Sequence, residues 1–383
     1  MLSDLLLIVY CVTFFLCFGS YFLYPLVVFA LGRIAGISVQ RAEITPPVSI
    51  IISAYNEGKD IRKKLSNTLA QDYPSEKVEI LIGSDGSTDD TAAEVKAYPA
   101  SGIRFFDFQE NRGKTSVQND LVAKASHDIL IFTDAASFLP KDALKKMVRN
   151  FADERVGCVA GKMRFVDTDK NITTQSQGIY WRYEVKVREL ESALGSLIGV
   201  DGPLYAVKRP CYVPLAPNII SDLMTPLLVL GQGKMAVLES EAFVDEEPKE
   251  KSGQEFNTRR RITLRGMVGV FSHATLLNPL RHPLLALQIL FHKVIRWGVG
   301  LLVFINLLAC LGLAAGSTFF QYILVSYGIF FCAAILGWLA AGRDIKVRAL
   351  SIPYYFCLVN LAASLGLIDF LRGKQAITWK TLR

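Results

Sequence analysis

The sequence predicts an α/β domain with a mostly parallel sheet, joined to transmembrane helices. Three observations carry this expectation. Residues 45–275 alternate strand-like and helix-like stretches, the pattern of helices flanking a sheet. The strand-like stretches are continuously apolar, as strands buried on both faces are. Long uncharged runs sit near the two ends of the chain. Hydrophobic residues make up 51% of 383, and their excess lies in those runs, so a globular middle stands between membrane segments.

Residues 5–31 carry no charge, enough to cross a hydrocarbon core that needs about 20 residues. A signal peptide would show a basic start, a shorter apolar core and a small-residue cleavage site. None is present, so residues 1–32 read as a retained anchor. Arg33 and Arg41 follow it and place its end in the cytoplasm. In the middle, "VSIIISAY", "VEILIGSD", "IRFFDF" and "DILIFTDA" read as strands. "DIRKKLSNTLAQ", "DDTAAEVKAY" and "KTSVQNDLVAKA" read as the helices between them.

Beyond the middle, residues 280–296 mix a strong apolar face with Arg281, His282, His292, Lys293 and Arg296. This pattern predicts a helix lying on the membrane surface, against the alternative of a core helix. Residues 297–371 hold two or three spans. The uncharged run 297–342 is too long for one and turns at "AAGST"; 349–368 is a further apolar stretch. Arg343, Lys346 and Arg348 place the link between them in the cytoplasm. Four full crossings would then leave the basic tail, 372–383, outside. A last segment that re-enters, broken near Pro353, would keep it inside.

Lys and Arg outnumber Asp and Glu by 42 to 35, a balance of +7. Such a balance fits an anionic membrane face or a phosphorylated substrate. No basic run is interleaved with aromatics, which argues against nucleic acid. Of seven cysteines only Cys158 and Cys211 fall in the middle, with no CxxC and no Cys/His cluster. Neither a zinc site nor a disulfide framework is indicated, and a reducing compartment follows.

In an open parallel sheet, ligands sit at the carboxyl ends of the strands. Three motifs fall there: "AYNE" (54–57), "SDGSTDD" (84–90) and "TDAAS" (133–137). A strand-to-helix turn with a helix cap accounts for Gly86, Ser87, Thr88 and Asp89. It does not account for Asp85, which ends a buried strand as an acceptor for sugar hydroxyls or a base N–H. His127, His273, His282 and His292 are scattered and read as structural or interfacial. "DEEP" (245–248) reads as a solvated loop, with Glu246 able to support the arginines of "RRRI".

The stretches "SAYNE", "SDGSTDDT", "ENRGKTSVQN", "TDAAS", "GVDGPLYAVKR", "ISDL", "EF…RRRI" and "FHKVIRW" follow one another across nearly the whole chain. In that order they resemble the membrane-embedded family-2 glycosyltransferases, the group containing the cellulose, chitin and hyaluronan synthases. The resemblance implies a Rossmann-like GT-A domain on the cytoplasmic face of the plasma (inner) membrane. It implies an inverting sugar transfer from a nucleotide-sugar donor, a UDP-sugar, to a lipid-linked glycan or a growing polysaccharide.

By the same resemblance, Tyr55 and Glu57 lie beside the nucleotide, Asp85 contacts its base, and Lys114 lies near it. Asp134 is the first aspartate of a metal-binding DxD for Mg²⁺ or Mn²⁺. Asp222 is the catalytic base. Asp201, Gly202 and Pro203 cradle the acceptor, and Arg260 and Arg261 meet the diphosphate, whose geometry guanidinium matches.

The departures are specific. Ala136 replaces the second DxD carboxylate, leaving Asp134 and Ser137. Ser221 precedes the base where the family has an acid. "TRRRI" (258–262) stands where the polymerising members have QxxRW. The missing tryptophan weighs against a processive polysaccharide synthase. The missing carboxylate favours a catalytically weak, nucleotide-binding subunit of a synthase complex, with export or synthase subunits as partners. The retained Asp222 weighs against that.

Overall fold

A computed structural model describes residues 2–99, 102–343 and 347–378. Lys346 of the basic link and residues 379–383 of the tail lie outside them. Helices α1 (Leu2–Phe18) and α2 (Tyr24–Ala35) join through a π-helical turn at Gly19–Leu23, giving one apolar helix of 34 residues. The globular part follows as β1 (Val48–Ala54), α3 (Ile61–Leu69), β2 (Val78–Asp85), α4 (Thr91–Lys96) and β3 (Ile103–Phe108). Then come α5 (Lys114–Lys124), β4 (Ile129–Asp134), α6 (Ala143–Val148), β5 (Val156–Phe165), α7 (Ile172–Ser192) and β6 (Leu204–Lys208). Helix α8 (Ser221–Gly231), β7 (Met235–Glu246) and α9 (Ser252–Ser272) complete it.

The seven strands form one sheet in the order β3-β2-β1-β4-β6-β5-β7. All neighbours are parallel except β6, which runs against β4 and β5. The run of apolar residues in β1 explains its central place. Ile50 and Ile52 enter the core on one face and Ile51 the core on the other. From β1 the order steps outward to β2 and β3, while β4 lies on the opposite side. That reversal opens a crevice at the carboxyl ends of β1 and β4. Ser53 pairs with Asp134 and Ala54 with Ser84, so the ends of β1, β2 and β4 are level.

Helices α10 (Pro283–Ile289) and α11 (Ile295–Ala314) join through a second π-helical turn, Leu290–Val294, and α12 (Thr318–Ala341) and α13 (Arg348–Leu371) follow. Four helices are therefore long and apolar enough to cross a membrane. Residues 280–296 are not a separate surface helix. They run into α11 as one helix from Pro283 to Ala314, and His292 and Arg296 are buried rather than presented to headgroups. Two residues of its polar face, His292 and Arg296, meet α7.

Helix α13 continues through Pro353 without a break. Near its start, Tyr354 meets Thr173 and Ser351 donates to Gln175, both on α7. Near its end, Arg260 of α9 donates to Asp369 at 2.5 Å and Phe370 stacks on Phe271. Beyond it, the carbonyl of Ile377 lies against Gly113. Both ends of α13 thus touch the globular part. A Cβ at Gly366 would sit 2.7 Å from the carbonyl of Arg260 and 2.9 Å from Thr263 Cβ, so α9 and α13 meet backbone to side chain there.

Gly366→Leu should force these helices apart at a cost of about 1–3 kcal/mol, read as a lower Tm for detergent-solubilised protein. Gly328→Ala, where nothing lies within 4 Å of the added carbon, should leave Tm unchanged.

Candidate active site

The three strand ends are laced together. Asn56 has φ 54°; its amide donates to Ser87 Oγ, and its Oδ1 accepts from the Thr88 amide at 2.8 Å. The amide of Glu57 donates to Thr91 Oγ1, and that of Gly58 to Asp89. Asp89 does more than cap α4: it ties the "AYNE" loop to the "SDGSTDD" loop. Asp85 is fully buried. Its two oxygens accept from the amides of Arg112 (2.9 Å) and Gly113 (2.8 Å). It therefore holds the loop that delivers Lys114 at the start of α5.

Lys114, Asp134, Asp201, Gly202, Pro203 and Asp222 line one cavity of about 430 Å³. Within it, Gly202 faces three of these side chains. A Cβ there would stand 3.1 Å from Lys114 Nζ, 3.3 Å from Asp222 Oδ2 and 3.8 Å from Asp134 Oδ2. Lys114 pairs with Asp134. Asp201 is paired with Arg188 and accepts from the Met163 amide, so its carboxylate positions the loop. Burial pushes the Asp222 carboxyl above its ordinary value; Lys114 and Arg265 pull it down and Asp134 pushes it further up. A half-buried carboxylate of raised pKa beside two cations is suited to accept a proton.

Three consecutive arginines point three ways. Arg259 lines the cavity and pairs with Glu255. Arg260, expected at the diphosphate, points away from the cavity to Asp369. Arg261 has no hydrogen bond or ion pair among the described residues, and burial lowers its pKa while Asp222 opposes the shift. Tyr55, Glu57 and Asp85 lie at the strand ends, outside the lining of this cavity. Thr258 and Ile262, which stand for the family's glutamine and tryptophan, do line it.

Two site residues carried no signal in the sequence. Arg265 is buried and donates to Thr115 Oγ1 and the carbonyls of Pro217 and Ile219. It thereby fixes the segment before Asp222. Lys64 is completely buried behind Asp134 and donates to Thr133 Oγ1 (2.7 Å) and the Ser137 carbonyl (2.5 Å). Burial brings its pKa down to about 7 against the pull of Asp134 and Glu246. Glu246 lines the cavity and accepts from Ser137 Oγ, so the "DEEP" loop turns inward here.

The residues around Asp134 were tested as a cation site. Ala136 leaves one carboxylate in the motif. Among the described residues no group of three or more His, Cys, Asp or Glu could hold a metal ion. The donor set suits a divalent cation only if the ligand brings the remaining oxygens.

A GT-A-like sheet with this crevice defines a class, and the comparisons agree. Residues 49–207 match the family described as Glycosyl transferase family 2. It is 33% identical over 199 residues to the poly-beta-1,6-N-acetyl-D-glucosamine synthase of Staphylococcus aureus (strain COL), covering 51% of this chain and 42% of that one. It is 27% identical over 165 residues to the synthase of the same name in Staphylococcus epidermidis, covering 42% and 39%. The chain thus matches under half the length of these relatives. A mannosyltransferase from Pyrobaculum calidifontis, solved with GDP-Man and Mn²⁺, shares the fold with a TM-score of 0.71 at 20% identity, over 98% of this chain and 100% of that one.

Gly202→Val should push Lys114 and Asp222 away and lower turnover by about tenfold or more. A circular-dichroism melt near that of the unaltered protein would separate this from unfolding. A pH effect follows from Lys64. Unfolded, it keeps its proton to about pH 10; folded, it loses it near 7. Between these values the unfolded chain holds more protons, so stability rises with pH. Tm should climb from pH 7 to 9, and the climb should flatten in Lys64→Met.

Proposed function

We propose that this chain is an inverting membrane glycosyltransferase that moves a sugar from a UDP-sugar to a lipid-linked glycan or growing polysaccharide of the cell envelope. The observation that carries this reading is the approach of Lys114, Asp134 and Asp222 to one point above Gly202. Asp222 takes the proton of an acceptor hydroxyl as that oxygen attacks the anomeric carbon. The bond to the diphosphate breaks on the opposite side, and the nucleoside diphosphate leaves with the electron pair. One displacement inverts the configuration.

Lys114 and Arg261 offset the charge of the leaving group. Tyr55, Glu57 and Asp85 lie at the strand ends that take the nucleotide, Asp85 by holding the loop before Lys114. Mg²⁺ or Mn²⁺, held by Asp134 together with diphosphate oxygens, would supply further charge neutralisation when bound. Arg33 and Arg41 after the first span support a cytoplasmic site.

Processive synthesis is the second reading. The names of the staphylococcal relatives favour it, and so does a cavity that continues to Tyr21, Trp297 and Asn360 on the apolar helices.

The test is nucleoside-diphosphate release by protein purified with its native lipids, from UDP-, GDP- and TDP-sugars, with and without Mn²⁺. One donor should give Mn²⁺-dependent release, reduced about 10²-fold or more in Asp222→Asn. The acid limb of its rate should lie above the ordinary carboxylate value near ~4, since Asp222 must be ionised and its pKa is raised. Release from no donor above the level of that variant would sink the proposal.

A further inference from the structure

The membrane end of the catalytic cavity holds a set of buried charges that the sugar transfer does not use. Glu184 and Glu191 of α7 face His292 and Arg296. His292 bridges the two carboxylates, at 2.5 Å to Glu191 and 3.0 Å to Glu184. Arg296 pairs with Glu184, and Arg188 with Asp201. Each of these three acids thus has a basic side chain against it. Lys293 is a further cation. It lines the same cavity; Glu184 and Glu191 attract it from beyond ion-pair distance, and among the described residues its ammonium makes no hydrogen bond.

Lys293 lies at the far end of the acceptor loop. Its Nζ is 3.8 Å from where a Cβ of Gly199 would be, while Gly202, three residues on, faces Asp222. Three residues span at most about 10 Å, so little more than one sugar separates the cation from the base. Beyond Lys293 the cavity reaches Asn360, and Asn360 also walls a groove of about 870 Å³ between α11, α12 and α13. Leu301, Phe304, Trp338, Cys357 and Leu361 make the groove almost wholly apolar.

A cation that makes no hydrogen bond among the described residues, beside an apolar groove and about one sugar from a base, matches one ligand chemistry. We infer that Lys293 and this groove form the acceptor subsite: Lys293 binds the phosphate of a lipid-linked saccharide and the groove takes its hydrocarbon tail. The inference rests on the transferase reading for what happens at Asp222, and on the cavity alone for the binding. It sets the acceptor as an anionic amphiphile whose sugar hydroxyl reaches Asp222 while its phosphate stays at the membrane helices.

Binding of labelled farnesyl diphosphate to the detergent-solubilised full chain tests this, with farnesol and inorganic diphosphate as the tail-only and charge-only probes. Farnesyl diphosphate should bind tighter than either. Lys293→Met should weaken it about tenfold or more, the worth of one charged hydrogen bond, with farnesol unaffected and Lys293→Arg close to the unaltered protein. Cys357→Trp, which fills the groove, should reduce farnesyl diphosphate to the affinity of inorganic diphosphate, and it serves as the second variant if Lys293→Met does not fold.

Three results would overturn the inference: undiminished binding in both variants, farnesol binding as tightly, or a loss that follows Lys114→Met instead, which would place the probe at the donor site. Phosphatidylglycerol competing as well as farnesyl diphosphate would also overturn it, by assigning Lys293 to bulk lipid. Asp222→Asn should bind the probe normally, so failure of donor turnover and failure of this subsite are separate outcomes.

Discussion

The missing side chain at Gly202 is the constraint on which the site depends. Three charged groups from three elements, α5, β4 and α8, approach a single point, and only a bare backbone leaves room for a substrate among them. Everything around that point serves to hold it. Asp85 fixes the loop before Lys114 through two amides. Arg188 clamps Asp201 at the start of the loop. Arg265 secures the chain just before Asp222. The sheet supplies level strand ends, and these surrounding contacts supply aim.

The same cavity is where the globular part meets the apolar helices. Helix α7 carries Glu184 and Glu191 into contact with His292 and Arg296, and Glu191 also accepts from Tyr24 at 2.5 Å. Buried ion pairs of this kind contribute little net stability, because desolvation offsets the attraction. Breaking one partner is severe, however, so they fix register strongly. The pairs key α2, α7 and the helix from Pro283 to Ala314 to one another, and so fix these helices relative to the base.

Much of this was legible in the sequence. The two-faced burial of β1 follows from "VSIIISA", and the ordered motifs put Lys114, Asp134, Asp201, Gly202 and Asp222 in one place. The directions of side chains were not legible. Successive residues on a helix turn by about 100°, so "RRR" reads as a basic patch although Arg259, Arg260 and Arg261 serve a cavity, a neighbouring helix and the space between. Nothing in "RKKL" marks Lys64 as the one that turns inward. The basic face at 292–296 looks the same whether its partner is a headgroup or a buried glutamate. What decides is α7, some hundred residues away in the chain, and periodicity within one segment carries no information about it.

The contacts of α13 have a consequence for modularity. This helix lies along α9, with Arg260 bonded to Asp369 and Phe271 stacked on Phe370, and the residues beyond it rest on the loop beside Lys114. A cut between the sheet domain and the apolar helices would strip α9 of one flank and leave Arg260 without its counter-ion. The cavity would also lose the wall made by Trp297 and Asn360. The sheet domain and the apolar helices are therefore joined by packing as well as by the chain.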